Sequence, residues 1–150
     1  MCLKKKFCVI IVLIGVLMKL PEELKNRLEE LSNKYKEKEL KEAYTEISDR
    51  YMTEKRTGNT LLSSEIDVIA YANARMPATY SAVYTAFEKS FKYINEYKLK
   101  SLLDVGAGTG AATWAISDFI DFEKITCLEK EKSMLAFGEK LMSENKLGRN

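Results

Sequence analysis

The sequence predicts an α/β chain in which a helical N-terminal region precedes the first two β–α units of a doubly wound parallel sheet. Three observations carry this. Apolar residues recur at helical spacing from Leu20 to Ile94. After Lys100 the pattern changes to short apolar runs alternating with helical ones, SLLDV, AATWAI, KITCL and KSMLAFGEKLM. Three glycines on alternate positions, Gly106, Gly108 and Gly110, join the first run to the second. Strand, tight turn, helix, strand, helix is how an open parallel sheet begins.

Taken in order, Leu20, Leu24, Leu28, Leu31 and Tyr35 form one helical stripe, with Pro21 in the place of a first-turn proline. Leu40, Ala43, Tyr44, Ile47 and Tyr51 continue the period in a second helix, or in the same one after a bend. Thr57-Gly58-Asn59 signals a turn. Ser64-Glu65-Ile66-Asp67 resembles a capping box and opens a third helix ending near Arg75, because the residue before a proline avoids helical geometry and Pro77 follows Met76. Pro77 then starts a longer helix whose Tyr80, Val83, Tyr84, Phe87, Phe91 and Ile94 share one face, most simply a core face. Ser101–Val105 and Lys124–Leu128 are strands, and 111–120 and 132–145 are helices, the last with Met134, Leu135, Gly138, Leu141 and Met142 inward. Three units are expected: a hydrophobic leader or mistaken start over 1–17, a helical region over 18–98, and the opening part of a cofactor domain over 99–150.

With 46% hydrophobic and 31% charged residues the chain is globular, and a net charge of +2 demands neither a nucleic-acid nor a membrane partner. Between Lys19 and Thr57 ten basic and ten acidic residues interleave, as on solvated helix faces. There is no His, which excludes a hydrolase triad built on histidine within these residues. Cys2, Cys8 and Cys127 have no metal-ligand spacing, so no metal site is expected, and so few cysteines suit a reducing, cytoplasmic compartment. The run FCVIIVLIGVLM, Phe7 to Met18, is short for a membrane span and lacks a small-residue cleavage site. Met18 therefore reads as the initiator, with an uncleaved anchor as the alternative.

The glycines make a turn whose backbone a ligand can approach, at a helix N-terminus. The acids decide which ligand. Asp104 ends the first strand two residues before Gly106, where the pyrophosphate of a dinucleotide would meet like charge. S-adenosylmethionine carries an ammonium and a sulfonium instead, which an acid attracts. Glu129 ends the second strand, where acids accept hydrogen bonds from ribose hydroxyls. The plainer readings are a turn or cap acid for Asp104 and a surface acid for Glu129.

D-x-G-x-G-x-G resembles motif I of the Rossmann-like, class I S-adenosylmethionine-dependent methyltransferases. Read together with RMPATYSAVY, Arg75 to Tyr84, and the T/A-x-W-A pattern of the following helix, it resembles the methyltransferase-like family of the mitochondrial small ribosomal subunit and its bacterial relatives. The resemblance covers roughly Leu20 to Leu147, and departs at Thr109, where relatives often carry Pro. It implies cofactor contacts from Asp104, Gly106, Ala107, Gly108, Gly110 and Glu129, and a pocket mouth near Arg75, Met76, Pro77, Thr79 and Tyr80. It further implies a role at the small ribosomal subunit in translation, with the subunit or its rRNA as partner. The acceptor-binding strands would lie beyond these residues, so the chain reads as a fragment that does not turn over alone. A non-catalytic ribosome-associated module and a nicotinamide-dependent oxidoreductase are the alternatives.

Overall fold

The computed structural model describes residues 20–53, 62, 64–94 and 97–143. The turn expected at Thr57-Gly58-Asn59 and the leader over 1–17 lie outside them. Helices α1 (Glu22–Ser32), α2 (Glu37–Thr53) and α3 (Glu65–Ile94) precede β1 (Ser101–Val105), α4 (Ala111–Ser117), β2 (Lys124–Leu128) and α5 (Lys132–Met142). The architecture is α/β, as expected, with β1 and β2 parallel and paired from Ser101↔Lys124 to Val105↔Leu128.

The first stripe is a helix with Leu24, Leu28 and Leu31 buried. Pro21 sits one residue earlier than expected, as its N-cap, with φ −48° and ψ 137°. Asn33 to Lys36 then bend the chain, so α2 is a separate helix, with Ala43 and Ile47 buried against α3.

The capping box forms as the sequence indicates. Asp67 N donates to Ser64 Oγ and Ser64 N to Asp67 Oδ2, both at 3.3 Å. Arg50 Nη2 reaches the same carboxylate at 3.2 Å, tying α2 to the start of α3. Glu65 is met by Lys140 at 3.2 Å and by Lys34 at 3.5 Å. Its carboxyl is held below the usual range, first by the hydrogen bond and charge of Lys140.

The expected break at Met76-Pro77 does not occur. Pro77 lies inside one 30-residue helix. A proline there has no N–H for the carbonyl four residues back and costs about 3 kcal/mol. Burial on either side of it outweighs that cost: Ile69, Ala72, Met76 and Tyr80 fall on one face and are all 2% exposed or less. Tyr80 Oη donates to Asp118 Oδ2 at the end of α4, and burial above all raises the phenol's pKa. Tyr80 is the fully buried member of the aromatic face. Tyr84, Phe87 and Phe91 are half-buried, and their rings gather around Phe119 with centroids 4.7, 5.3 and 5.5 Å away.

Helix α4 stops at Ser117, not at Ile120. Asp118 is engaged by Tyr80 and Phe119 by the ring cluster, and Phe119 N closes the turn on Ile116 O at 3.0 Å. In α5 the buried side chains are Met134, Phe137, Leu141 and Met142; Phe137 takes the inward place expected of Leu135, which is half-buried. One core joins both stretches of the chain, from Leu24, Leu28 and Ile69 through Met76 to Trp114, Met134 and Leu141.

Pro77→Ala restores an N–H to the ladder of α3. It is expected to raise the unfolding free energy by about 1–2 kcal/mol, the interior-proline cost less the stiffness and packing lost with the ring. Urea unfolding measures this; a lowered midpoint would show that the ring's packing outweighs the missing hydrogen bond.

Candidate functional site

The carboxyl ends of β1 and β2 bring the glycine turn and the two acids together. Gly106 N and Ala107 N both donate to Leu128 O, at 2.7 and 3.1 Å, so the turn leaves β1 while still attached to β2. Gly110 N then donates to Ala107 O at 2.8 Å and closes the loop into α4. Gly106, Gly108 and Gly110 have φ of 76°, 58° and 86°, which L side chains rarely adopt. At Gly106 a Cβ would meet no atom within 4 Å, so the turn presents bare backbone to open space.

Glu129 is built into this turn. Its Oε2 accepts from Gly108 N at 2.8 Å and its Oε1 from Glu131 N at 2.9 Å. Each oxygen keeps a further lone pair for another donor. Asp104 sits half-buried on β1, and its Oδ2 accepts from Thr113 Oγ1 at 2.8 Å. Thr113 is fully buried and also lies 3.5 Å from Cys127 Sγ. It links the first turn of α4 to both strands. Burial is the main force pushing the Cys127 thiol up, so Cys127 is a half-buried packing residue with little thiolate character. Trp114 packs between helix and core at 4% exposure, with Nε1 buried and without a hydrogen-bond partner among the described residues.

Two contacts fix the loop from behind. Thr109 is 5% exposed, and its hydroxyl lies 3.8 Å from Met76 Sδ. Gly138 of α5 lies so close that a Cβ there would stand 3.3 Å from Thr109 C and O. Sequence reasoning assigned neither Thr113 nor Gly138 a role. The only signal was position, Thr113 on the first turn after the glycines and Gly138 on an inward stripe.

The pocket-mouth candidates divide between two faces of α3. Arg75 and Thr79 are exposed, Pro77 is half-buried, and Met76 and Tyr80 are buried. Of these, Met76 touches the glycine turn through Thr109, whereas Tyr80 is spent on Asp118. Among the described residues no group of three or more His, Cys, Asp or Glu could hold a metal ion, and no helix is long and apolar enough to cross a membrane.

Chemically the site offers two carboxylates flanking an open backbone turn. Glu129 already takes the Gly108 N–H that a phosphate would otherwise use. The arrangement favours cationic groups and hydroxyl donors over anions.

Residues 65–150, more than half of the chain, match the family model described as mitochondrial small ribosomal subunit Rsm22. The ribosome assembly protein METTL17, mitochondrial, of Homo sapiens is similar at 29% identity over 76 residues, 49% of this chain and 17% of that protein. The chain thus matches less than a fifth of the length of this curated relative.

Gly106→Ala places a side chain in open space, so it is expected to cost only the backbone strain, about 1–2 kcal/mol. Gly138→Ala gains about 1 kcal/mol of helix propensity and is nonetheless expected to destabilise, because α5 must withdraw from the Thr109 backbone. Urea midpoints for the two variants check this; a stabilised Gly138→Ala would mean that the helix has room to shift.

Proposed function

Since the chain belongs to the Rsm22 family of the mitochondrial small ribosomal subunit, we propose that it is an S-adenosylmethionine-binding, methyltransferase-like protein serving translation at the small ribosomal subunit. The observation that carries the cofactor reading is the placement of Asp104 and Glu129 on either side of the glycine turn, Glu129 holding the Gly108 N–H. In a dinucleotide site that N–H and that space would face a pyrophosphate. Two carboxylates there oppose it, and they suit an ammonium and a pair of ribose hydroxyls.

The residues present fit such a group. Gly106 leaves open backbone where the methionine part would lie, with Ala107, Gly108 and Gly110 continuing the turn. Asp104, oriented by Thr113, would hold the ammonium side, and Glu129 would accept from the ribose. When bound, the cofactor supplies a methyl group on a sulfonium, whose transfer depends on alignment more than on acid–base help. Asp104 and Glu129 bind and orient; neither is asked to move a proton. Arg75, Thr79 and Pro77 are kept as candidates for the mouth of such a site, with Arg75 and Thr79 exposed and Pro77 half-buried.

The partner is proposed to be the small ribosomal subunit, on the strength of the family and of the relative named as a ribosome assembly protein. A second reading keeps the ribosomal association, as an assembly module, without transfer chemistry. We place the chain in the cytoplasm on its sparse cysteines, which subcellular fractionation would check.

Titration calorimetry with S-adenosylhomocysteine and with NAD tests the cofactor. Heat is expected with the first alone, and Asp104→Asn is expected to weaken it about tenfold or more, as for loss of a charge-assisted hydrogen bond. Heat with NAD and none with S-adenosylhomocysteine would sink the reading. Co-sedimentation with small subunits, without label transfer from methyl-labelled cofactor, would select the non-catalytic module.

A further inference from the structure

We propose that the surface formed by the end of α3 and the entry to β1 binds single-stranded RNA, with Tyr93 and Tyr97 stacking on bases and Lys89, Lys92, Lys98 and Lys100 meeting phosphates. The proposal deepens the ribosomal reading above by naming the chemical partner and the surface that takes it.

From Lys89 to Lys100 the sequence carries four lysines against one acid, Glu96. This is the basic stretch that a net charge of +2 conceals. All four of these lysines are exposed. Tyr93 is 73% exposed and Tyr97 69%, more than any other large apolar or aromatic side chain described except Val105. A tyrosine left that open gains little from the core, and here two stand four residues apart. Tyr93 belongs to α3, and Tyr97 N donates to Ile94 O at 3.0 Å while Leu99 N donates to Tyr97 O at 2.9 Å. Both rings are therefore carried by hydrogen-bonded backbone.

Lys92 Nζ lies 4.8 Å from the centroid of the Tyr93 ring. It places a cation against one face of a ring that is otherwise in solvent. A ring of this kind accepts a nucleobase on its free face while the lysine reaches the adjoining phosphate. Lys124 extends the basic area, since Lys124 N donates to Lys100 O at 3.2 Å and its side chain is exposed. Lys100 is paired with Glu123 at 2.7 Å, but both partners are about two-thirds exposed, so a phosphate can compete for the cation. Exposed aromatics with interleaved lysines suit unstacked bases. They offer nothing that enters the deep, narrow major groove of an RNA duplex.

The test is fluorescence anisotropy of the full chain with a short labelled oligouridylate, with an RNA duplex and anionic vesicles as separate arms. Tighter binding of the single strand is expected. Lys92→Glu with Lys98→Glu should weaken it about tenfold and flatten its salt dependence by roughly one to two phosphate contacts. Tyr93→Ala with Tyr97→Ala should weaken it about tenfold at unchanged salt slope, and Tyr93→Trp with Tyr97→Trp should restore it. All substituted side chains are exposed, so folding is expected to persist, and heat with S-adenosylhomocysteine confirms it independently. Four results overturn the proposal: no RNA binding, duplex preferred over single strand, vesicles bound in place of RNA, or an alanine pair that binds like the original. Small-subunit co-sedimentation undiminished by the lysine pair would likewise remove this surface while leaving the ribosomal reading intact.

Discussion

The burial of Met76 and Tyr80 on one face of α3 is the interaction on which the rest depends. It carries the helix straight through Pro77, so α3 becomes a single spine for both stretches of the chain. Near the N-terminus of that spine the capping box, Arg50 and Lys140 hold α2 and α5. In its middle Met76 meets Thr109 of the glycine turn, and one turn further Tyr80 fixes the end of α4 through Asp118. A break at Pro77 would separate the support of the glycine loop from the support of its helix. The two are set by adjacent turns of the same element.

Much of this is legible in the sequence, and what is not fails for particular reasons. The Leu24–Leu31 part of the first stripe, both strands and the glycine turn read directly, because each is a local pattern whose periodicity survives any tertiary arrangement, whereas Leu20 and Tyr35 lie outside the helix of Glu22–Ser32. The run through Pro77 does not, because the cost of an interior proline is local while the burial that outweighs it belongs to other elements. The end of α4 has the same cause: Ser117 is a stopping point only once Asp118 and Phe119 have partners on α3. Within the site, Asp104 and Glu129 were recognisable by position relative to the glycines. Thr113 was not, since its value lies in a bond to Asp104 that only the closed β–α turn creates.

The sheet is covered on one side. Leu102, Asp104, Ile125 and Cys127 share a face through their register and meet α4 and the core, while Leu103, Val105 and Leu128 on the other are 61%, 72% and 52% exposed. Parallel sheets are found with both faces protected. The stability of the described portion therefore rests on the helices and on the covered face, while the glycine turn is held in the sheet by Leu128 O and Glu129 and from behind by Thr109 and Gly138. The side of the turn at Gly106 is open, and the outer face of the sheet is apolar and exposed.

The charges divide along the same sheet. Asp104 and Glu129 stand at the carboxyl ends of the strands, and Lys100 and Lys124 at the amino ends, where Tyr97 and the end of α3 approach. Five residues of parallel strand separate the ends by about 16 Å. A nucleic acid gripped at the lysine end does not thereby place the gripped nucleotides at the glycine turn, and the acids at that turn would repel its phosphates. The two proposed activities thus fall at opposite ends of one small sheet. Cofactor affinity should follow the state of Asp104 and be indifferent to Lys92, while attachment to RNA should follow Lys92 and Tyr93 and be indifferent to Asp104. A variant that moved both together would place them in one site and would contradict the geometry.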